Sequence, residues 1–366
     1  MSMKISKVEA IHVAIPYEHG APKPLMGTGQ PRLTMDAVYL RVETDAGITG
    51  WGEAFGFAAC RATVEIIRGV LSPLAIGRDP LDRAGVMGDF QRRFQSMGRN
   101  GPASFARAGF DIALWDIAGK AAGLPVHALL SPTSKTTIPA YASLLRTLNP
   151  DHVTLLVERA AREGYGAMKI HEKSEICVAR AREAAGSEVS MMLDVNCAWT
   201  FDEAMVLASQ LERYSLEWIE EPTYPADDFE TMARLRQASP VPIAAGENIG
   251  SLTDMRRAIN QKALDILQPD VIKLGLTETW ATMLIGREAG VKVDPHCPYY
   301  GPGLIASQHL IAAAQEDIAC EFFHVRLAAS PLGDMIYPCK GVYAVPDGLG
   351  FGFNVDETVL SNFCVA

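Results

Sequence analysis

The sequence predicts an α/β protein in which eight parallel strands form a barrel and an α+β unit precedes them. Two observations support this. From about residue 136 onward, apolar runs rich in Val, Ile and Leu alternate strictly with helical patterns, as parallel strands buried on both faces should. Eight strands with seven intervening helices also fit a closed barrel better than an open sheet. Enzymes built on such barrels carry their chemistry at the carboxyl ends of the strands.

The composition narrows the possible partners. The 366 residues are 48% hydrophobic and carry a formal net charge of −10, so the chain can bury a large core and is poorly suited to the nucleic-acid backbone. No apolar run reaches the ~18 residues of a membrane span. The seven Cys lack CxxC spacing and the start lacks a signal-peptide core, so we expect reduced thiols and a cytoplasmic location. We therefore expect no nucleic-acid or membrane partner.

Sequence patterns in the N-terminal part of the chain predict the α+β unit. Its strand patterns cover 3–16 and 37–54, the latter with a turn at 45–47, and its helical patterns lie near 61–76, 80–95 and 102–123. The Pro/Gly-rich stretch 17–36 is longer than an ordinary connection, so we expect it to be functional or mobile.

The barrel follows. Its strands are predicted over 137–142, 167–171, 189–195, 216–221, 241–246, 264–269, 291–295 and 318–323, with helical patterns between them such as 151–164, 201–214, 227–238, 251–262, 276–289 and 302–315. The tail, 325–366, contains scattered Gly and Pro and is predicted to be irregular. We thus expect three parts: 1–130, 131–325 and 326–366, the last packing back toward the first.

Three consecutive predicted strands end in carboxylates. Asp194, Glu220 and Glu247 occur in the motifs MLDVN, WIEEP and AGEN, about 26 residues apart, which is the length of one strand–helix unit. Parallel strands would bring them to the same end of the sheet, where they repel each other unless a cation lies between them. Oxygen ligands without Cys or His favour Mg²⁺ or Mn²⁺ over Zn²⁺. The alternative is three separate acids that cap the following helices.

Other strand ends supply candidate catalytic residues. Period-two alternation points Lys169 and His171 to the same side of the second strand. Asp270, ending the sixth strand, would lie beside His296, ending the seventh, where it could fix the imidazole tautomer and raise its basicity. Glu321 ends the eighth strand. Taken singly, a strand-end Lys is usually a solvated charge, and a His after Pro is usually a loop residue.

Three neighbours of these residues have predicted roles outside the chemistry. Asp294 competes with Asp270 for His296, but alternation points it the other way. Lys273 is predicted to make a structural ion pair. Glu221 is predicted to face away from the metal, again because of alternation.

Together these motifs resemble the enolase superfamily, and within it the mandelate racemase-like group (the mandelate racemase/muconate lactonizing enzyme family). The matching segments are LDVN, WIEEP, GEN and QPD, followed by Lys273 and His296, and near the N-terminus GWGE at 50–53 and DIALWDIAGK at 111–120. The resemblance covers nearly the whole chain. It implies a modified (β/α)₇β barrel of the TIM type with an N-terminal α+β capping domain. It also implies a homo-oligomer.

The resemblance also implies a site. Mg²⁺ would be bound by Asp194, Glu220 and Glu247, with a His296–Asp270 dyad, and Glu321 would hydrogen-bond the substrate carboxylate. One position departs from the family pattern. Relatives usually have Lys-x-Lys on the second strand, with the second Lys as a base, whereas this chain has Lys169-Ile170-His171.

Because of this departure, we assign the roles of Lys169 and His171 from their positions on the second strand. Lys169 would contact the substrate carboxylate and His171 would be the base. Imidazole, with a reference pKa of about 6.5, suits proton transfer at neutral pH. Alternatively, His171 only binds a substrate hydroxyl. The implied reaction is Mg²⁺-dependent removal of the proton α to a carboxylate through an enediolate. The cation, Lys169 and a protonated Glu321 would stabilise the developing charge.

We favour dehydration of a sugar (polyhydroxy) acid to a 2-keto-3-deoxy acid, because the stretch 17–36 and Tyr299 offer polar groups for hydroxyls. We expect loops 17–36 and 51–60 to determine which small carboxylic acid the protein accepts as substrate. The candidate substrate contacts are Tyr17, His19, Lys23, Phe57, Asn196 and Tyr299. The alternatives are a racemase or epimerase of a hydroxy or amino acid, and a non-catalytic ligand-binding barrel, against which the intact acids and dyad argue.

Overall fold

The computed structural model describes residues 3–22 and 32–365. An N-terminal antiparallel sheet with its helices is followed by a curled sheet whose strands alternate with helices. In the ranges described, no helix is both long and apolar enough to cross a membrane.

The N-terminal part, here called the cap unit, combines one sheet with a helical layer. Its elements are β1 Ile5–Glu18, β2 Thr34–Thr44, β3 Thr49–Ala54, α1 Cys60–Ile66, α2 Ser72–Ala75, α3 Arg83–Arg93, α4 Pro102–Ala122 and α5 Val126–Leu130. A π-helical turn, Ile67–Leu71, joins α1 to α2. Strand β2 pairs antiparallel with both β1 and β3. The second predicted strand is therefore a hairpin about the predicted turn.

Helix α4 joins the cap unit to the barrel. It begins at Pro102, whose fixed φ suits a first helical position, and ends at Gly123, whose φ of 70° is left-handed. The helix is buried along nearly its full length because β3 packs on it from the cap unit and other helices pack on it from the barrel. This burial explains why apolar residues occur on every side of the helix, although Arg107, Asp111 and Asp116 are buried in it as well.

The barrel elements follow the predicted alternation of strands and helices. They are β4 Thr137–Leu144, α6 Pro150–Arg162, β5 Ala167–Ile170, α7 Glu175–Ala185, β6 Ser190–Asp194, α8 Phe201–Leu211, β7 Ile219–Glu220, α9 Phe229–Ala238, β8 Ile243–Ala245, α10 Leu252–Asn260, β9 Ile266–Leu267, α11 Val271–Leu274, α12 Leu276–Ala289, β10 Lys292–Val293, α13 Pro302–Ala313 and β11 Cys320–Phe323. Every predicted strand is found, several of them shorter than predicted.

Pairing within this sheet is parallel from β10 through β9, β8, β7, β6, β5 and β4 to β11. All eight strands therefore end at one edge. Pairing among the described strands stops short of joining β10 to β11. That gap is bridged just beyond β10, where the backbone N–H of Cys297 donates to Glu321 Oε2 at 3.2 Å. The predicted fold class, an α/β barrel with a separate α+β unit, is confirmed.

The tail differs from its prediction as irregular structure. It contains β12 Arg326–Leu327, β13 Val342–Ala344 and α14 Glu357–Asn362. Strand β12 pairs with β1, and β13 pairs antiparallel with β4. Strand β12 extends the edge of the N-terminal sheet, whereas β13 pairs with the first residues of β4, a strand inside the barrel order. Such long-range pairing leaves no periodicity in a stretch rich in Gly and Pro.

Close packing of β3 on α4 gives a stability prediction. A Cβ added at Gly52 would lie 1.9 Å from the backbone oxygen of Gly109, so Gly52→Ala must push the sheet from the helix. We expect a loss of about 3 kcal/mol in the free energy of unfolding, measured by urea denaturation. The control is Gly69→Ala, where the added methyl meets nothing within 4 Å. It should change stability by less than about 1 kcal/mol. Equal effects of the two substitutions would contradict this packing.

Candidate active site

A cavity of about 630 Å³ lies between the cap unit and the carboxyl ends of the barrel strands. Six of the predicted barrel residues line it: His171, Asp194, Asn196, Glu247, His296 and Tyr299. From the cap unit the predicted Phe57 lines it. The volume is typical of small-molecule sites.

Buried carboxylates are crowded beside this cavity. Asp194 ends β6, Glu220 ends β7, and Glu247 follows β8 by two residues, since parallel neighbours bring these positions together. Ligand atoms of Glu220, Glu247 and His296 all lie within 4.8 Å of one another. Burial raises the pKa of Glu220, an effect that Lys169 opposes and Asp194 reinforces. The three predicted acids therefore share one electrostatic environment.

Glu221 is a fourth carboxylate at this edge, and its position differs from the prediction. Its side chain lines the cavity and accepts hydrogen bonds from Asn248 Nδ2 at 2.9 and 3.0 Å. The reason is local: Glu221 has a φ of 44°, so the strand's alternation ends at this residue. Burial, together with the charges of Glu247 and Asp194, raises the pKa of Glu221 to about 8.

Lys169 is fully buried between two acidic side chains, Glu220 and Glu321. Its Nζ is 2.9 Å from Glu220 Oε1 and 2.9 Å from Glu321 Oε1. Burial alone lowers the pKa of Lys169, but Glu220 and Glu321 raise it well above its usual range. Glu220 also accepts from Trp218 Nε1 at 3.0 Å and Gln268 Nε2 at 2.7 Å.

Glu321 differs from the expectation of a protonated acid. Burial raises the pKa of Glu321, but Lys169 and His296 lower it, and the result is about 2. The carboxylate is therefore ionised while Lys169 remains beside it. Protonation of Glu321 would require Lys169 to turn toward another anion, such as a substrate carboxylate.

His296 and Asp270 form a close pair. His296 Nδ1 lies 2.6 Å from Asp270 Oδ2, and His296 Nε2 lies 2.5 Å from Glu247 Oε2. The Tyr299 hydroxyl donates to Asp270 as well. Burial lowers the pKa of His296, but Glu247 and Glu321 raise it well above the ordinary value. Asp294 instead lies 3.2 Å from Lys292 Nζ, away from this pair.

His171 lines the same cavity as His296. Its Nδ1 is 2.7 Å from the carbonyl oxygen of Leu144, which can only accept, so Nδ1 carries a proton. Its Nε2 is 3.2 Å from Asp194 Oδ2. Nε2 of His171 is therefore in contact with one of the three predicted metal ligands. In the sheet order, β5 and β10, which precede the two histidines, are separated by four strands.

Arg146 is a buried residue of this site that the sequence did not reveal. Its Nε donates to the His171 carbonyl oxygen at 3.0 Å, and its Nη2 donates to Asn196 Oδ1 at 2.6 Å. Asn196 in turn donates to Asp194 through its backbone N–H and Nδ2, at 2.7 and 3.0 Å. Arg146 therefore positions both His171 and Asp194. It lies two residues beyond β4, whose end carries no charged residue to signal a site.

Of the remaining predicted substrate contacts, two have described positions and one does not. Tyr17 donates its hydroxyl to the Arg32 carbonyl oxygen at 2.6 Å, and its ring centroid lies 6.1 Å from that of His19. Neither Tyr17 nor His19 lines the cavity. Lys23 lies outside the described residues. Lys273, predicted to make a structural ion pair, has its Nζ 3.4 Å from Glu247 Oε1 and also lines the cavity.

The donor set fits a hard divalent cation. Asp194, Glu220 and Glu247 supply oxygens only, and their mutual repulsion is what such an ion relieves. The fit rests on the donor chemistry and the packing of the acids: carboxylate oxygens of Glu220 and Glu247 lie within 4.8 Å of each other, and the charge of Asp194 adds to the burial that raises the pKa of Glu220.

Comparison with known proteins places the chain among relatives. Residues 11–131 match the family model "Mandelate racemase / muconate lactonizing enzyme, N-terminal domain", and residues 152–359 match "Enolase C-terminal domain-like". The chain is 30% identical to the D-galactarolactone cycloisomerase of Agrobacterium fabrum, over 89% of this chain and 90% of that protein. It is 33% identical to the D-galactonate dehydratase of Pectobacterium atrosepticum, over 79% of each.

One of the similar solved structures contains magnesium. The mandelate racemase/muconate lactonizing protein of Paracoccus denitrificans, complexed with magnesium, superposes with a TM-score of 0.87. It is 25% identical to this chain, and the match covers 100% of this chain and 99% of that one.

Proposed function

This chain belongs to the mandelate racemase/muconate lactonizing enzyme family of the enolase superfamily, and from that premise we propose that it dehydrates a sugar acid to a 2-keto-3-deoxy acid. The observation that carries the proposal is that two imidazoles, which follow strands separated by four others in the sheet order, line one cavity together with Asp194 and Glu247. The D-galactonate dehydratases and the cycloisomerase among its relatives act on sugar acids or their lactones, which supports the substrate class.

Asp194, Glu220 and Glu247 are the proposed ligands of Mg²⁺. When bound, the cation supplies positive charge where the substrate carboxylate gains negative charge during proton removal. Asn196 and Asn248 hold the ligands in place, since Asn196 Nδ2 donates to Asp194 at 3.0 Å and Asn248 Nδ2 to Glu247 at 2.9 Å. Such supporting bonds preserve ligand geometry and metal affinity.

Lys169 and Glu321 are the proposed contacts for the same substrate carboxylate. Lys169 Nζ already bridges two carboxylates at 2.9 Å, so it can exchange one of them for the substrate. Glu321, released from that pair, then takes up a proton and donates it in a hydrogen bond. The charge of the enediolate would thus be shared among donors already in place before the reaction.

The two histidines would handle the protons. His171 and His296 both line the cavity, and each has its Nδ1 fixed by an acceptor, Leu144 O or Asp270. One imidazole takes the α proton from its own face. In dehydration, an imidazolium then donates a proton to the leaving β-hydroxyl, and the enol product tautomerises to the keto acid.

Racemisation or epimerisation of a hydroxy or amino acid is the second candidate, favoured by the same placement of two imidazoles. Without a β-hydroxyl to expel, the second imidazole would return a proton on the opposite face and invert the centre. A non-catalytic barrel is disfavoured because a sensor has no need of Nδ1 anchors on both histidines.

Several features beyond the reaction belong to the proposal. Mn²⁺ would satisfy the same oxygen donors. All seven Cys are free, which supports a reducing, cytoplasmic location. The net charge of −10 supports a small-molecule substrate rather than a nucleic acid or membrane partner. We also propose a homo-oligomer.

The reaction is tested directly by screening a library of sugar acids with the Mg²⁺-loaded protein. We expect at least one acid to yield a 2-keto acid, detected as its semicarbazone. A parallel ¹H NMR run in D₂O should show the α proton exchanged or a deuterium incorporated at C3 when the enol product takes up a deuteron from solvent. Inversion of the α carbon without keto acid would favour the epimerase. The absence of both product and exchange for every acid would refute the proposal.

The two histidines give a sharper prediction. Since each imidazole sees one face of the α carbon, His171→Asn should abolish exchange with D₂O in one stereochemical series and His296→Asn in the other, each by at least about 100-fold. Asp270→Asn should resemble His296→Asn, because a wrong tautomer impairs the base.

If His171 only binds a hydroxyl, His171→Asn raises KM while kcat and exchange persist, and the two-base mechanism fails. The matched control is His152→Asn, a histidine on α6 outside the cavity lining, which should leave both series unchanged.

A further inference from the structure

The roof of the cavity carries a cation that the proposed reaction does not use. Lys169, Glu321 and the metal ligands account for one end of a substrate, at the carboxyl ends of the barrel strands. Arg32 lines the same cavity from the cap unit, two residues before β2 begins. A sugar acid bound by its carboxylate on the barrel would point its other end toward this roof.

Two contacts fix the position and the orientation of the Arg32 guanidinium. Its central carbon lies 3.8 Å from the centroid of the Phe57 ring, and its Nε donates to the Thr34 carbonyl oxygen at 3.0 Å. Stacking on an aromatic face together with an anchored Nε fixes the plane and leaves the terminal nitrogens at the edge. A guanidinium so fixed loses little entropy when it binds a planar anion.

Asp36 lines the same cavity and forms an ion pair with Arg32, its Oδ2 lying 3.7 Å from Arg32 Nη2. The shorter bonds of Asp36, each 2.9 Å, are made with His12 Nε2 and the Thr34 hydroxyl. Within residues 3–22 and 32–365, this ion pair and the bond from Nε to Thr34 are the contacts that the guanidinium makes with polar groups. A substrate carboxylate would therefore share the guanidinium with Asp36.

We propose that Arg32 binds a second carboxylate at the far end of the substrate, so that the preferred substrates are aldaric acids, the dicarboxylic sugar acids, rather than aldonic acids. The proposal rests on the proposed function. A guanidinium matches a carboxylate with two parallel N–H···O bonds, which a terminal hydroxymethyl group cannot reproduce. An aldonic acid would cover the guanidinium with a hydroxymethyl group and leave its remaining N–H donors without water or an acceptor.

The test compares galactarate with galactonate, which share C1 to C5 and differ only in a carboxylate or a hydroxymethyl group at C6. We expect kcat/KM to favour galactarate by about 100-fold in the wild type. Arg32→Gln should lower kcat/KM for galactarate by about 100-fold, mainly through KM, and change galactonate by less than about 3-fold. Arg32→Lys should recover only part of the loss, since an ammonium cannot form the bidentate pair.

The matched control is Arg61→Gln, an exposed arginine on α1 of the same cap unit, which should alter neither substrate. Equal losses for both acids in Arg32→Gln would show that Arg32 only supports the cap unit. No preference for galactarate in the wild type would also overturn the proposal.

Binding separates this inference from the reaction itself. In the Mg²⁺-loaded His171→Asn/His296→Asn double variant, calorimetry should show galactarate binding more tightly than galactonate, and Arg32→Gln should remove the difference. If this preference is seen while no sugar acid reacts with the wild type, the proposed function fails and the second-carboxylate site stands. If turnover occurs but neither affinity nor kcat/KM depends on Arg32, the reverse holds.

Discussion

The crowding of buried carboxylates at the ends of β6, β7 and β8 is the constraint on which the rest of the site depends. Two like charges 4 Å apart repel by about 4 kcal/mol at the effective dielectric of a protein site. Lys169, Lys273 and His296 offset part of this, with contacts of 2.9, 3.4 and 2.5 Å to the acids. The charges of Glu247 and Asp194 add to the effect of burial in raising the pKa of Glu221 to about 8. A divalent cation between the acids would relieve the remaining repulsion, and the proposed reaction would use the charge that it brings.

The fold holds this unfavourable cluster in place because rigid elements surround it. Parallel strands fix the backbone of each acid, while Asn196, Asn248, Trp218 and Gln268 donate hydrogen bonds to them. Arg146 connects Asn196 to the carbonyl of His171, so the metal-binding side and one proposed base are positioned together. Residues of the cap unit line the other side of the cavity, so the cap unit contributes to the environment of the acids.

Much of this arrangement could be predicted from the sequence, because strand spacing is a local property. The spacing of Asp194 and Glu220 predicted adjacent strand ends, and the alternation at Lys169 predicted its inward position, now seen as full burial. Alternation failed at Glu221, where the left-handed backbone ends the strand. The ionised state of Glu321 was missed as well, because it depends on the distance to Lys169.

The roles of residues that act through long-range contacts could not be predicted from the sequence. Arg146 follows an uncharged strand end, and its partner Asn196 lies 50 residues away. Arg32 acquires its role from Phe57, 25 positions further along the chain, with β2 and β3 between them. His19 shows the opposite error: its position in the loop suggested a substrate contact, but it lies outside the cavity lining.

The central claim, that this carboxylate cluster is a metal site, is tested most directly by titrating Mg²⁺ into the metal-free protein by calorimetry. The account predicts one site, with affinity lowered at least about 100-fold in Glu220→Gln and Glu247→Gln. Glu221→Gln is the matched variant, since it removes a neighbouring carboxyl that is not a ligand, and it should bind within about 3-fold of wild type. Full affinity in both Glu220→Gln and Glu247→Gln would contradict the account.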